Sequence, residues 1–285
     1  MTFATPLKFY EDECNVTAKK SYCSDSLDTY DYFMPLGIIT PFLIESSSLS
    51  ISTIYLKSAK TGYVANVTAF FDIHSVGYGL YFQDNATYST STSVNVRASI
   101  LTVGGYNEPI SDFIRKNGNV YYLVITDGFN PILYSDIFGI LNIGLEGDCI
   151  QCSPYFSISW LSDCNVGDLR YKDIPELNNK VYLSTALSKP EYQYEEEGNN
   201  DGRGEFFAKF QSIKKIRKAE IFGNESLADA LAMIPLHSQI HITDNDGNTF
   251  SAGRFLTDVN WQNDCLATIS ISIYTAFTTK NNCCN

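Results

Sequence analysis

Three groups of residues in this sequence have types and spacings that suggest chemistry, and each falls short of a working site. Cys149 and Cys152 form a Cys-x-x-Cys pair, with Cys164 twelve residues on. That is half of a zinc site, because structural zinc takes four ligands in tetrahedral reach. No second pair follows, and Cys283 and Cys284 are adjacent, a spacing unsuited to chelating one ion. Small thiols that simply pack are the competing reading. Asp244-Asn245-Asp246-Gly247 begins like a calcium loop, but the twelfth position, which should carry a carboxylate, is Phe255. An Asp-Gly hairpin turn suits it better. His74, His237 and His241 have no Glu or Cys at ligand spacing, and no Ser stands in a Gly-x-Ser-x-Gly turn. Plentiful carboxylates are the only motive for a hydrolase, and no acid pair can be placed. The sequence therefore predicts a protein that is not an enzyme, with no catalytic, cofactor-binding or metal residue.

The stretch that remains is EYQYEEEGNNDGRGEFFAKFQSIKKIRKAEIF, Glu191 to Phe222. An acidic run, Glu195, Glu196 and Glu197, is followed past a glycine-rich break by a basic cluster, Lys214, Lys215, Arg217 and Lys218. Tyr192 and Tyr194 alternate with polar residues ahead of the acids. The pattern suggests an arm on a sheet, with a projecting loop over 191–205. A hairpin here would not place the two charge runs directly opposite each other. The expectation is that Glu195 to Glu197 reach across a subunit boundary toward the basic residues of the next copy, with the tyrosines in the same interface. The plainer alternative is a solvated charged face.

Bulk properties narrow the class. Of 285 residues, 44 % are hydrophobic and 14 % aromatic, which fits a globular, β-rich chain. The formal net charge of -12 repels phosphate, so sequence-specific nucleic-acid binding is not expected. An acidic wall would still let DNA slide past without sticking. The start, MTFATPLKFYEDEC, has no basic end followed by an apolar run, so no signal peptide is expected. GIITPFLI is too short to span a bilayer, and the eight cysteines are expected mostly reduced. Sequons at Asn15, Asn66, Asn85 and Asn224 then carry no meaning.

The elements that must carry the arm are mainly strands. Residues 1–30 read as an N-terminal arm. Residues 31–150 read as an antiparallel, Ig-like β-sandwich, with short alternating runs parted by Gly, Asn and Asp turns such as Asp127-Gly128. IGLEGDCIQCS marks a linker, with the boundary near 150. Residues 151–285 read as an antiparallel sheet with one packed helix and the projecting loop. The helix lies in NESLADALAMIP, where Leu227, Ala230, Leu231 and Ile234 share a stripe. Asn224 or Ser226 can cap it, Ser226 and Asp229 fit a capping box, and Pro235 ends it. Phe206, Ala208 and Phe210 alternate in one phase, and Ile213, Ala219 and Ile221 in the other. A β-bulge near Gln211, or a helical segment, accounts for the change. In the last strand Ala267, Ile269, Ile271, Ile273 and Phe277 are expected on one face.

Several word-like stretches resemble structural proteins of tailed phages that infect gut Bacteroidetes, including the crAss-like group. They are SWLSDCNVGDLRY, NKVYLSTALSKPEYQYEEEGNNDGRGEFFAKFQ, DALAMIPLH and WQNDCLATISISI, with LKFYEDE, MPLGIITPFLI and VYYLVITDGFNPILYSDIFGI in the first half. The likeness is weakest over 75–93, leaves out the cysteine-rich ends, and transfers no active-site residue. It implies a virion tail component of a short-tailed phage, one of its stacked ring proteins, assembled in the host bacterial cytoplasm. The partners implied are further copies of itself and neighbouring ring, portal or hub proteins, with DNA passing through the lumen. A carbohydrate-binding β-sandwich module for host-surface attachment is the alternative, motivated by tandem β domains and many tyrosines.

Overall fold

A computed structural model describes residues 7–14, 33–35, 41–45, 51–76, 79–84, 100–103, 106–109, 113, 116–118, 120–141, 155–166, 171, 179–262 and 266–281. The strands of the first half are β1 (Phe9–Tyr10), β2 (Phe33–Pro35), β3 (Phe42–Glu45), β4 (Thr53–Ser58), β5 (Val64–Asn66) and β6 (Phe71–Val76). They continue with β7 (Gly79–Asp84), β8 (Ile100–Val103), β9 (Tyr106–Pro109), β10 (Val120–Thr126), β11 (Pro131–Ser135) and β12 (Phe138–Leu141). The second half has β13 (Phe156–Leu161), β14 (Asn179–Leu183), β15 (Glu191–Asn200), β16 (Phe206–Gly223) and helix α1 (Glu225–Met233). After a 3-10 turn (Ile234–Leu236) come β17 (Gln239–Thr243), β18 (Thr249–Ser251), β19 (Arg254–Trp261) and β20 (Ala267–Asn281). Among the described residues the class is mainly β, with helix α1 packed on the sheets, as the sequence predicts.

In the first half a large sheet runs β1-β11-β10-β4-β5-β8-β9, with β12 bridging β10 and β2. Its pairings are antiparallel except β2–β12, which is parallel. A smaller sheet, β3-β7-β6, is its other layer. The centre is β10, VYYLVIT, buried at every position. β-Branched and aromatic residues pack well on a pleated surface covered on both sides. Phe42 stacks on Phe82 with centroids 4.5 Å apart, and Phe71 meets Phe42 edge-on at 5.3 Å. The β-branched and aromatic residues from Tyr63 to Ile73 do not make one strand. They form β5, turn through the 3-10 segment Thr68–Phe70, and enter the other sheet as β6.

Residues 7–14 do not hang free. Phe9 and Tyr10 pair with Ser135 and Tyr134, and Glu13 accepts from Lys57 and Tyr122. The rest of the 1–30 arm, the linker at 150 and positions 94–99 lie outside the described residues. The core does not divide at the expected linker. One contiguous buried cluster runs from Phe42, Ile54 and Leu123 through Phe156 and Val181 to Ile221 and Ile271.

Among the described residues of the second half, the strands form two four-stranded sheets, β14-β13-β17-β18 and β15-β16-β20-β19. Helix α1 buries Leu227, Ala230 and Leu231, with Ile234 just beyond its end. Burying a Leu or Ile side chain contributes roughly 1.5–3 kcal/mol, which a helix of under three turns needs because it is not stable alone. The Asn224 side chain accepts from Leu227 N at 3.0 Å and is the N-cap. Ser226 instead donates to Asp136 at 3.4 Å, tying the helix start to the first half. A Cβ on Gly223 would lie 2.7 Å from Leu227 Cδ2 and 3.0 Å from Ile269 Cδ1. Glycine lets the helix start this close to the sheet without displacing Leu227 and Ile269.

Candidate assembly surface

The predicted 191–205 loop is a hairpin, not a loop. β15 supplies ten residues in strand conformation, and the turn is confined to 201–205. The Asp201 carboxylate accepts from Arg203 N at 2.7 Å and Glu205 N at 2.9 Å, and Gly204 takes a φ of +84°. These bonds close the turn that the glycines permit. At the base, Ser188 latches the hairpin: its N donates to Lys218 O and its hydroxyl accepts from Lys218 N.

β16 is a single strand with no helical part. The phase change expected near Gln211 falls at Lys209, the extra residue between the pairs Glu197↔Phe210 and Gly198↔Ala208. A second bulge leaves Thr275 of β20 unpaired between Lys215↔Ala276 and Ile216↔Tyr274. It moves the position of Phe277 across from Lys214, off the row of Ile269, Ile271 and Ile273.

The charge runs meet within the chain. Glu195 stands across from Ser212 and Glu191 across from Ile216, so no acid is directly opposite a base. Each reaches the basic residue two positions further on: Lys214 donates to Glu195 at 2.5 Å and Lys218 to Glu191 at 2.7 Å. Diagonal neighbours on one sheet face are within reach of long side chains. Arg217 points to the body, 3.8 Å from Asp244 Oδ2 and stacked on Phe250. Four of the expected interface residues are thereby engaged inside one copy. Glu197 and Lys215 have no ion-pair partner among the described residues. Glu196 accepts from Tyr194 OH at 2.7 Å, which pushes the phenol's pKa up and keeps it protonated.

On the other face of the hairpin Tyr194 stands across from Ile213, and Tyr192 across from Lys215. Tyr192 is 67 % exposed, Tyr194 55 % and Ile213 49 %. This face continues the one that, nearer the body, carries buried Ala219 and Ile221. The sheet's apolar side therefore runs out past the layer that covers it. Ile213 was legible in sequence only as a strand phase, and its exposure depends on where that cover ends. The hairpin from Glu191 to Lys218 also holds six acidic and six basic residues, so it is neutral on a chain of net charge -12.

The groups first considered for chemistry have structural work. Asp244 is buried and accepts from Asp246 N and Asn248 N, closing the β17–β18 turn. Asn245 is tied to Leu187 and Thr185. His237 Nδ1 lies 3.0 Å from Met233 O, and its ring packs edge-on to Trp160 and Tyr171. Burial pushes its pKa down. His241 meets Ser251 at 3.3 Å. Cys164 is exposed and free, and Cys149, Cys152, Cys283 and Cys284 lie outside the described residues. Among the described residues no three His, Cys, Asp or Glu side chains are grouped to hold a metal ion, and no helix is long and apolar enough to cross a membrane.

No protein-family model, curated protein or solved structure matches this chain.

Proposed function

We propose that this chain is a virion structural protein, a subunit of an oligomeric ring in the tail of a short-tailed bacteriophage, where it helps to form the channel for DNA. It is not an enzyme and takes no cofactor. One observation carries the assembly half of this reading: a neutral, self-latched hairpin projects with Tyr192, Tyr194 and Ile213 uncovered on one face. Exposed aromatics with few unpaired charges are the composition of a contact surface. The phage half comes from the resemblance of the sequence words. The strongly acidic remainder of the chain suits a lumen through which DNA must move without sticking. Quantitative mass spectrometry of gradient-purified phage particles tests the reading. The chain should be present in multiple copies and fractionate with tails detached from capsids. Its absence from intact virions would sink the proposal.

Carbohydrate binding is the second reading, favoured by Tyr192 and Tyr194 standing two residues apart on one strand face, as sugar-stacking platforms do. Glycan-array binding that is lost in Tyr192→Ala, by a chain that stays monomeric, would favour it over the ring.

A further inference from the structure

We infer that the free edge of β15 in one copy pairs with the free edge of β19 in the next, in one register, joining the sheets of neighbouring subunits. The inference rests on the ring reading and names its interface. In the sheet order β15-β16-β20-β19, every neighbouring pair is antiparallel. Four alternating strands leave edges that run in opposite directions. A neighbour that repeats the same orientation therefore offers β19 antiparallel to β15, and the ladder continues. This is a head-to-tail contact between two different edges, the kind that closes into rings. Both edges are long and open, with Glu191 to Glu197 exposed on one and Arg254, Leu256, Asp258, Asn260 and Trp261 exposed on the other.

Charge selects the register. Joined sheets must keep the buried row of Ile269, Ile271 and Ile273 on the side that carries Tyr192 and Tyr194, so only shifts of two residues are allowed. One register places Glu197 opposite Arg254, and then Glu195 meets Leu256, Gln193 meets Asp258, Tyr194 meets Thr257 and Tyr192 meets Val259. It pairs β19 from Arg254 to Asn260 and stops at Glu197, where the ladder to β16 is broken by the bulge at Lys209. A shift of two in one direction sets Glu195 against Asp258, and in the other Glu191 against Asp258. Like charges directly opposite destabilise a sheet pair. Glu197 and Arg254 are both uncommitted within the chain: neither has an ion-pair partner among the described residues, and Arg254 stacks on Tyr274 at 5.6 Å. Glutamates along an edge discourage indiscriminate pairing, so they admit a partner edge that brings an arginine to the right place.

Sedimentation velocity of the full chain, with cross-link mapping, tests this. Glu197→Arg and Arg254→Glu should each weaken self-association about tenfold or more, and the double reversal should recover most of it. Both sites are exposed, and circular dichroism confirms that each variant folds. Glu197→Cys with Arg254→Cys should give covalent multimers on oxidation, with a 197–254 disulfide found by peptide mapping. Within one chain these positions are three strand spacings apart and six residues out of level, roughly 25 Å in all, so such a bond must join two copies. Association unchanged by the single reversals, a double reversal no stronger than the singles, or no 197–254 cross-link would each overturn the edge pairing and leave the ring reading standing. A wild-type chain that stays monomeric at every concentration overturns both.

Discussion

Lys218 reaches Glu191 at 2.7 Å along a diagonal of the β15–β16 hairpin, and Lys214 reaches Glu195 along the same kind of diagonal four residues further out. The repeat turns what looks like two separate charge runs into a ladder that holds the arm together. Both pairs are exposed, so each contributes only ~0.2–1 kcal/mol. A double-mutant cycle on Glu195→Ala and Lys214→Ala should give a coupling in that range that shrinks in 1 M salt. A coupling several times larger would mean that the pair is desolvated.

The hairpin is an appendage to the core. Replacing residues 196–211 by Asn-Gly, joining Glu195 to Ser212 through a two-residue turn, should leave the melting temperature within a few degrees, because most of the deleted residues are exposed. Self-association should be lost. A truncated chain that unfolds would show that the arm belongs to the fold.

The helix seat is the opposite case. Gly223→Ala should destabilise by ~1–3 kcal/mol, since a methyl must push against Leu227 and Ile269. Ile271→Ala, in the core beneath the helix, should cost ~2–5 kcal/mol. Chemical denaturation of both variants measures this.

The mainly β class, the helix stripe and the Asp127 and Asp244 turns were legible because each is written in local periodicity or turn chemistry. Which residues cap, pair or stay bare was not. Asn224 and Ser226 are equally good caps by type, and only Asp136, 88 positions from Asn224, takes Ser226 away. The arm read as a loop because Glu, Asn and Gly disfavour strands, yet pairing along β16 overrides that preference. The bulges at Lys209 and Thr275 are visible only once two strands are aligned. The buried cluster shared by the two halves was not legible either, because burial between distant segments leaves no local signature.

His237 sets a pH dependence. Burial depresses its folded pKa, so below the unfolded value, near ~6.5, the unfolded chain takes up a proton that the folded chain refuses. Its stabilising contribution is complete above that pH and declines as pH falls toward the folded pKa. Thermal stability should therefore drop as pH falls below about 6.5, and His237→Gln should flatten the slope. A variant that keeps the full wild-type slope would assign it elsewhere.

The most direct test of self-assembly is negative-stain electron microscopy of the purified full-length chain across a concentration series. Closed rings of uniform size that grow in number with concentration are expected. Single particles the size of one chain throughout, or open filaments of no fixed length, would contradict the ring.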